Sequence, residues 1–146
     1  MVIDSGKRAR WDARFLDLAA IVASWSKDLS TKCGAVIVSP DRKSIALGYN
    51  GFPSALADDP DILAVREKKY ERTIHAEMNA ILNAQFNVKG CTLYVLPLFP
   101  CDKCAPHIIQ VGISRVVSRS SFSMPARWQS SATTSRLLFE EAGIEI

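Results

Sequence analysis

The sequence has few cysteines and histidines and no long apolar run, and each shortage excludes a class of protein. Four cysteines in 146 residues are too few for the disulfide framework of a small secreted domain, so a reducing compartment is expected. The apolar stretch after the basic start of the chain is interrupted by Asp12, Arg14 and Asp17, and no span of about 20 apolar residues follows. We therefore expect a soluble, cytoplasmic protein without a signal peptide or a membrane helix.

The chain also has only a small excess of charge of one sign. The formal net charge is +3, which by itself is too small to indicate a nucleic-acid partner. With 48% hydrophobic residues over this length, the chain can bury the core of one domain. We find no repeat and no linker, so residues 1–146 are predicted to form a single domain, with 1–10 as a loose N-terminal tail.

Helical and strand patterns alternate along the rest of the chain. Residues 11–25 have the apolar spacing of an amphipathic helix, and the runs 34–39 and 44–49 are typical of a β-hairpin. Further strands are predicted at 91–96, 113–117 and 144–146, and further helices at 76–84, 101–112 and 132–142. This order predicts an α/β fold with three α/β/α layers and a central mixed sheet of about five strands. Residues 54–72 fit either a solvated loop with a short helix or a flap over a substrate.

One histidine and two cysteines have the types and spacing of metal ligands. Structural zinc usually takes four protein ligands, whereas catalytic zinc takes three and leaves one position to water. Cys101 and Cys104 are one helical turn apart, so both can face one ion, and His75 supplies the third ligand. Each segment is predicted to open a helix, where the partial positive charge favours thiolates. We expect one catalytic Zn²⁺ per chain.

Glu77 follows His75 by two residues and suits a proton carrier better than a ligand. It can take the proton of a water, deliver it to a ring nitrogen and later protonate a leaving amine. An acid that merely favours the start of a helix is the alternative.

Cys-x-x-Cys also occurs in redox pairs and structural zinc sites, for which Cys33, Cys91 and His107 are the spare ligands. Cys33 and Cys91 lie in apolar runs, which favours a core position for both.

The combination His-x-Glu and Pro-Cys-x-x-Cys is typical of zinc-dependent deaminases. Over residues 11 to 146 the chain resembles the deoxycytidylate (dCMP) deaminase family of the cytidine deaminase superfamily. The segments that carry this resemblance are Ser26-Lys27-Asp28, Gly48-Tyr49-Asn50-Gly51-Phe52-Pro53, His75-Ala76-Glu77-Met78-Asn79, Thr92-Leu93-Tyr94-Val95, Pro100-Cys101-Asp102-Lys103-Cys104 and Arg136-Leu137-Leu138-Phe139.

The resemblance implies a cytidine deaminase-like fold and the hydrolysis of dCMP to dUMP with release of ammonia. It implies zinc on His75, Cys101 and Cys104, with Glu77 as the proton shuttle. The implied substrate-binding residues are Asn50 at the sugar, Ser26 and Lys27 near the phosphate, and Ala76. For Phe122 and Trp128, in the loop 118–130, a wall for the base and a core position are both open.

The family also implies assembly and regulation. Regulated members are homo-oligomers, often hexamers, that are activated by dCTP and inhibited by dTTP. The implied regulatory residues are Gly48, Tyr49, Gly51 and Phe52, with Mg²⁺ accompanying the nucleotide. This chain has a short insert between Pro53 and His75 and lacks the family's Asp-Lys-Tyr pattern before the last helix. A modified dCMP, dCTP, a nucleoside or adenosine in tRNA therefore stay open as substrates, as does a non-catalytic, zinc-stabilised interaction module.

Overall fold

A computed structural model describes residues 4–119 and 125–146 of the chain. Strand β1 lies between β2 and β3 and is antiparallel to both, while β4 is parallel to β3, which gives the order β2-β1-β3-β4. None of the described helices is long and apolar enough to cross a membrane. The elements are α1 (Ser5–Ala23), β1 (Gly34–Val38), β2 (Ile45–Tyr49), α2 (Pro60–Leu63), α3 (Arg66–Arg72), α4 (Ala76–Asn83), β3 (Thr92–Leu96), α5 (Ala105–Gln110), β4 (Arg115–Val117) and α6 (Ala126–Glu141).

Alternate residues of the central strands face two separate cores. Ala35 and Ile37 of β1 pack in the core that α4, α5 and α6 cover. Val36 and Val38 pack on the other face, against α1. Because both faces are covered, the central strands are almost wholly apolar. The predicted three-layer α/β/α fold with a mixed sheet is confirmed.

Two predictions about the ends of the chain are wrong. Residues 5–10 are the first part of α1, whose start is capped by Asp4 accepting a hydrogen bond from the Lys7 amide at 3.0 Å. The described part of the sheet has four strands, because Glu145 pairs with Arg115 only through an isolated parallel bridge. Arg8 of α1 forms an ion pair with Glu145 at 2.7 Å, so a contact between residues far apart in the sequence joins the two ends of the chain.

The predicted boundaries of two helices also shift. The chain from Cys101 to Cys104 is a turn, and α5 begins only at Ala105. Helix α6 begins at Ala126, six residues before the predicted start at 132. Its early turns carry Arg127, Trp128 and Ser131, a polar and aromatic sequence that lacks the apolar period used to predict helices.

Helix α4 lies almost in backbone contact with the edge strand β2. A Cβ atom placed on Gly48 would come within 2.2 Å of the Ala80 amide nitrogen, which leaves room only for hydrogen. Asn79 donates to the Tyr49 carbonyl at 2.8 Å, and Asn83 donates to the Leu47 carbonyl at 3.0 Å. These contacts fix the start of α4 relative to the sheet.

Candidate active site

His75 is the N-cap residue of α4 and is held from both sides. Just before it, Ile74 and Gly51 exchange two backbone hydrogen bonds of 2.8 and 3.1 Å. Just after it, the His75 carbonyl accepts from the Asn79 amide at 2.9 Å. The docking of α4 on β2 therefore determines where the imidazole lies.

Cys101 and Cys104 occupy the turn between β3 and α5. The Cys104 amide donates to the Cys101 carbonyl at 3.1 Å, and Cys104 is the N-cap of α5. The turn is also attached to α6, because the Asp102 amide donates to the Ser131 hydroxyl, which in turn donates to the Asp102 carboxylate, at 2.9 and 3.0 Å. Ser131 has no signal in the sequence that would predict this contact.

The three predicted ligands come together. The His75 Nδ1 lies 3.5 Å from the Cys101 Sγ and 3.2 Å from the Cys104 Sγ, and the three ligand atoms lie within 4.8 Å of one another. A tetrahedral zinc with bonds of about 2.3 Å to sulfur and 2.0 Å to nitrogen separates such ligands by about 3.6 Å. The nitrogen–sulfur spacing therefore fits a zinc ion.

The electrostatics of this cluster also suit a metal. Hydrogen bonds from Cys104 and His75 hold the pKa of the Cys101 thiol well below its usual range. The hydrogen bond with Cys101 raises the pKa of His75 in return. Zinc binds a thiolate and a neutral imidazole, so the lowered pKa of Cys101 favours the metal, and metal binding would release the proton that the raised pKa keeps on His75.

Glu77 is the second residue of α4 and is buried, with 6% of its surface exposed. Burial raises the pKa of its carboxyl group, because removal from water disfavours the charged form. Glu77, His75 and Cys101 line one pocket. The arrangement can therefore bring a bound molecule to a metal and a proton carrier at the same time.

Asn50 and Ala76 line the same pocket. The side chain of Asn50 accepts from the Cys33 amide at 2.8 Å and donates to the Thr31 carbonyl at 2.9 Å, so it also shapes the loop before β1. Cys33 packs against the core and also lines the pocket, and burial raises the pKa of its thiol to about 12. It is therefore a neutral part of the wall.

Ser26 and Lys27 are absent from the pocket lining, which is at odds with a direct contact to the phosphate. Ser26 is buried and donates to the Asn50 carbonyl at 2.8 Å. The side chain of Lys27 is 67% exposed and forms an ion pair with Asp58 at 2.7 Å. Of the two candidate aromatics, Trp128 lines the pocket, whereas Phe122 is outside the described residues.

A buried lysine in the pocket escaped the sequence analysis. Lys69 on α3 is 3% exposed, and its Nζ donates to the Asp28 carboxylate at 3.2 Å and the Ser30 hydroxyl at 3.1 Å. Lys69 lies in the charged run 66–72, whose composition predicts a solvent-exposed helix. Tyr70 and Thr73 of the same segment also line the pocket, so 54–72 is more than a solvated connection.

The other candidates have ordinary surroundings. Cys91 is buried, and the exposed His107 bonds the Lys103 carbonyl through Nδ1 at 3.0 Å. Over the described ranges, the metal-ligating cluster consists of His75, Cys101 and Cys104 alone, so neither Cys91 nor His107 supplies a fourth ligand.

The four predicted regulatory residues lie on or just after β2. Gly48 is a contact point for α4, and the exposed ring of Tyr49 packs edge-on against Trp25 at 6.3 Å. Gly51 pairs with Ile74, and Phe52 is half-buried in the loop that follows. Each of the two glycines thus has a structural task.

A three-layer α/β/α fold that presents a His-Cys-Cys cluster and a buried glutamate in one pocket defines a hydrolytic deaminase. Residues 9–120 match the family model described as the cytidine and deoxycytidylate deaminase zinc-binding region. The chain belongs to this family.

Several known proteins are similar over most of the chain. A deaminase from Aliivibrio fischeri, described as an uncharacterized deaminase in the luxG 3′ region, is 42% identical over 94% of this chain and 92% of its own length. Human deoxycytidylate deaminase is 40% identical over 92% of this chain and 76% of its own length. The dCMP deaminase of cyanophage S-TIM5, solved with dCMP and dUMP, superposes with a TM-score of 0.71 at 22% identity, covering 99% and 97% of the two chains. That last likeness is one of fold.

Proposed function

We propose that this chain hydrolyses dCMP to dUMP and ammonia. The observation that carries the proposal is the pocket in which Glu77 lies beside the cluster of His75, Cys101 and Cys104. The substrate is supported by similarity to relatives named deoxycytidylate deaminase, at 40% identity for the human protein. Hydrolysis adds one water across the bond between the ring carbon and the amino group, and ammonia leaves.

In this proposal His75, Cys101 and Cys104 hold one zinc ion. When bound, zinc supplies a Lewis acid that lowers the pKa of water to about 7. Glu77 takes one proton of the attacking water and gives it to the ring nitrogen beside the reacting carbon. It then transfers the second proton of that water, from the added hydroxyl group, to the departing amino group. Its burial supports this task, because a raised pKa makes the carboxylate a stronger proton acceptor and keeps more of the carboxyl group in its proton-carrying form.

The remaining residues of the pocket position the nucleotide. We assign Asn50 to the sugar and Ala76 to the floor of the base site, and the contacts of Asn50 with Cys33 and Thr31 support a fixed orientation of its amide. Trp128 is a candidate wall for the base. Ser26 acts through its hydrogen bond to Asn50.

Ammonia release from purified, zinc-loaded protein tests this function. The substrates are dCMP, CMP, deoxycytidine, dCTP, 5-methyl-dCMP and an RNA that contains adenosine. A higher kcat/KM for deoxycytidine monophosphates than for the other substrates supports the proposal. Turnover of RNA alone, or no turnover of any cytosine nucleotide by metal-loaded protein, contradicts it.

The predicted homo-oligomer and its effectors are proposals of the same rank. Sedimentation with and without dCTP, dTTP and Mg²⁺ measures assembly, and the same additions in the ammonia assay measure regulation. Activation by dCTP and inhibition by dTTP in a hexamer would agree with the resemblance. A monomer whose turnover neither nucleotide changes would contradict it.

A further inference from the structure

The pocket contains a buried ammonium group that the proposed proton transfers do not use. The side chains of Lys69 and its partner Asp28 are only 4% and 9% exposed, and their charged atoms lie 3.2 Å apart. The Asp28 carboxylate also accepts hydrogen bonds from the amides of Ser30 and Thr31, at 2.8 and 3.1 Å. Burying a charge is costly without such partners, so this group of contacts keeps a cation at the pocket.

The hydrogen bonds of Lys69 leave one donor for a ligand. A lysine ammonium has three N–H groups. In Lys69 one is directed to the Asp28 carboxylate and one to the Ser30 hydroxyl. Because Lys69 also lines the pocket, the third N–H is available to an acceptor on a bound molecule.

A second cation lines the same pocket from the opposite end of the sequence. Arg127, near the start of α6, contributes to the lining, and its guanidinium lies 5.5 Å from the Trp128 ring centre. Asp28, a carboxylate of the same lining, is already paired with Lys69. The pocket therefore favours a ligand that carries negative charge.

We propose that Lys69 binds the phosphate of the nucleotide, with Asp28 as the residue that positions it. The inference rests on the proposed function, since it names the group that recognises the monophosphate of that substrate. It replaces Lys27 in this task, because Lys27 is exposed, is paired with Asp58 and does not line the pocket. A phosphate oxygen accepts the third N–H of Lys69 as a charge-assisted hydrogen bond.

The test is the ratio of kcat/KM for dCMP to kcat/KM for deoxycytidine, which differ only in the phosphate. Lys69→Met is expected to lower this ratio about 50-fold, mainly through a higher KM for dCMP, since a lost charge-assisted bond of this kind weakens ground-state and transition-state binding alike. Lys68→Met is the matched control, because Lys68 is the exposed neighbour on α3. It should keep the ratio within about twofold.

A variant with both charges removed protects the test against misfolding. Asp28→Asn with Lys69→Gln keeps hydrogen-bonding groups at both positions, leaves no unpaired buried charge, and should lower the ratio to a similar extent. Circular dichroism and zinc content check the fold of each variant.

Three results would overturn the inference. A similar loss of kcat/KM on dCMP and on deoxycytidine in Lys69→Met would show that Lys69 is purely structural. A lower ratio in Lys27→Met alone would show that Lys27 binds the phosphate. A wild-type ratio near one would show that the protein does not recognise the phosphate. The proposed function is judged separately, since it requires only that the wild-type protein turns over dCMP.

Discussion

The two walls of the pocket are built by different means. The metal wall consists of His75, Glu77, Cys101 and Cys104, whose positions follow from the close backbone approach of α4 to β2 and from the backbone hydrogen bonds within the turn before α5. The polar wall consists of Asp28, Ser30 and Lys69, whose positions depend on side-chain bonds between segments about 40 residues apart. The metal wall rests mainly on backbone contacts, whereas the polar wall rests on the ion pair of Lys69 with Asp28 and the hydrogen bond of Lys69 to Ser30. We infer that the metal wall determines the reaction and the polar wall the choice of substrate.

The largest effect is expected from a substitution in the metal wall. His75→Ala removes one of three ligands, so we expect loss of bound zinc and of nearly all turnover, together with a lower midpoint of thermal unfolding. His107→Ala is the matched control, because the exposed His107 bonds only a nearby carbonyl. Metal analysis, calorimetry and the ammonia assay measure the three effects. If His75→Ala retained one zinc per chain, the cluster would not be the metal site.

Glu77→Gln separates proton transfer from metal binding within the metal wall. The amide has nearly the same shape but cannot carry the proton, so kcat should fall by about 10³-fold or more while the zinc content stays constant. Glu140→Gln, an exposed position on α6, should leave kcat unchanged. A Glu77→Gln variant with more than a tenth of wild-type kcat would show that another group moves the proton.

Gly48→Ala breaks the support of the metal wall without touching its side chains. The added Cβ would meet backbone atoms of α4 at 2.2 and 2.5 Å, and backbone cannot move aside as a flexible side chain does. We expect a loss of about 3 kcal/mol in the free energy of unfolding, measured with urea. Gly51→Ala, whose nearest heavy atom would be the Tyr49 ring at 3.8 Å, should lose under about 0.5 kcal/mol. Equal losses would mean that α4 is not tightly docked.

The same contrast explains what the sequence could predict. His75 and Glu77 are two residues apart, and Cys101 and Cys104 are three apart, so local spacing marks each half of the metal wall, and the signature of zinc-dependent deaminases joins the two halves. The Lys69–Asp28 pair joins residues 41 positions apart, and its lysine lies in a run of charges that has the composition of a solvated helix. A single sequence contains no local signal for such a pair.

The fold was predictable to a similar degree. Period and composition predict the layers and the central strands, because Val36, Ile37 and their neighbours are buried on both faces. The start of α1 depends on the Asp4 cap and on the ion pair of Arg8 with Glu145. The last predicted strand makes only the bridge at Glu145. The Asp4 cap is a local contact, whereas the ion pair of Arg8 with Glu145 and the bridge at Glu145 join the two ends of the chain, which neither segment's own pattern reveals.

The smallest expected effect concerns the face of the sheet opposite the pocket. Asp12 on α1 accepts from Tyr94 at 2.7 Å and from the Arg115 guanidinium through both of its oxygens. Burial alone would raise the pKa of Asp12, but the bonds from Arg115 and Tyr94 outweigh it and lower that pKa below its usual range. The carboxylate therefore stabilises the folded state above about pH 4, and this contribution disappears as the pH falls towards the lowered pKa.

Asp12→Asn should accordingly cost about 1.5–3 kcal/mol in the free energy of unfolding at pH 7, the usual contribution of hydrogen bonds to a charged group. The difference from wild type should shrink as the pH falls below about 4, because the wild-type carboxyl group is then protonated. Urea unfolding at pH 7, 5 and 3 measures it, with the exposed Asp17→Asn as control. Since Asp12 is remote from both walls, the dCMP-to-deoxycytidine ratio should stay at the wild-type value. A change in that ratio would mean that the two faces of the sheet are coupled, and would weaken the division of labour between the walls.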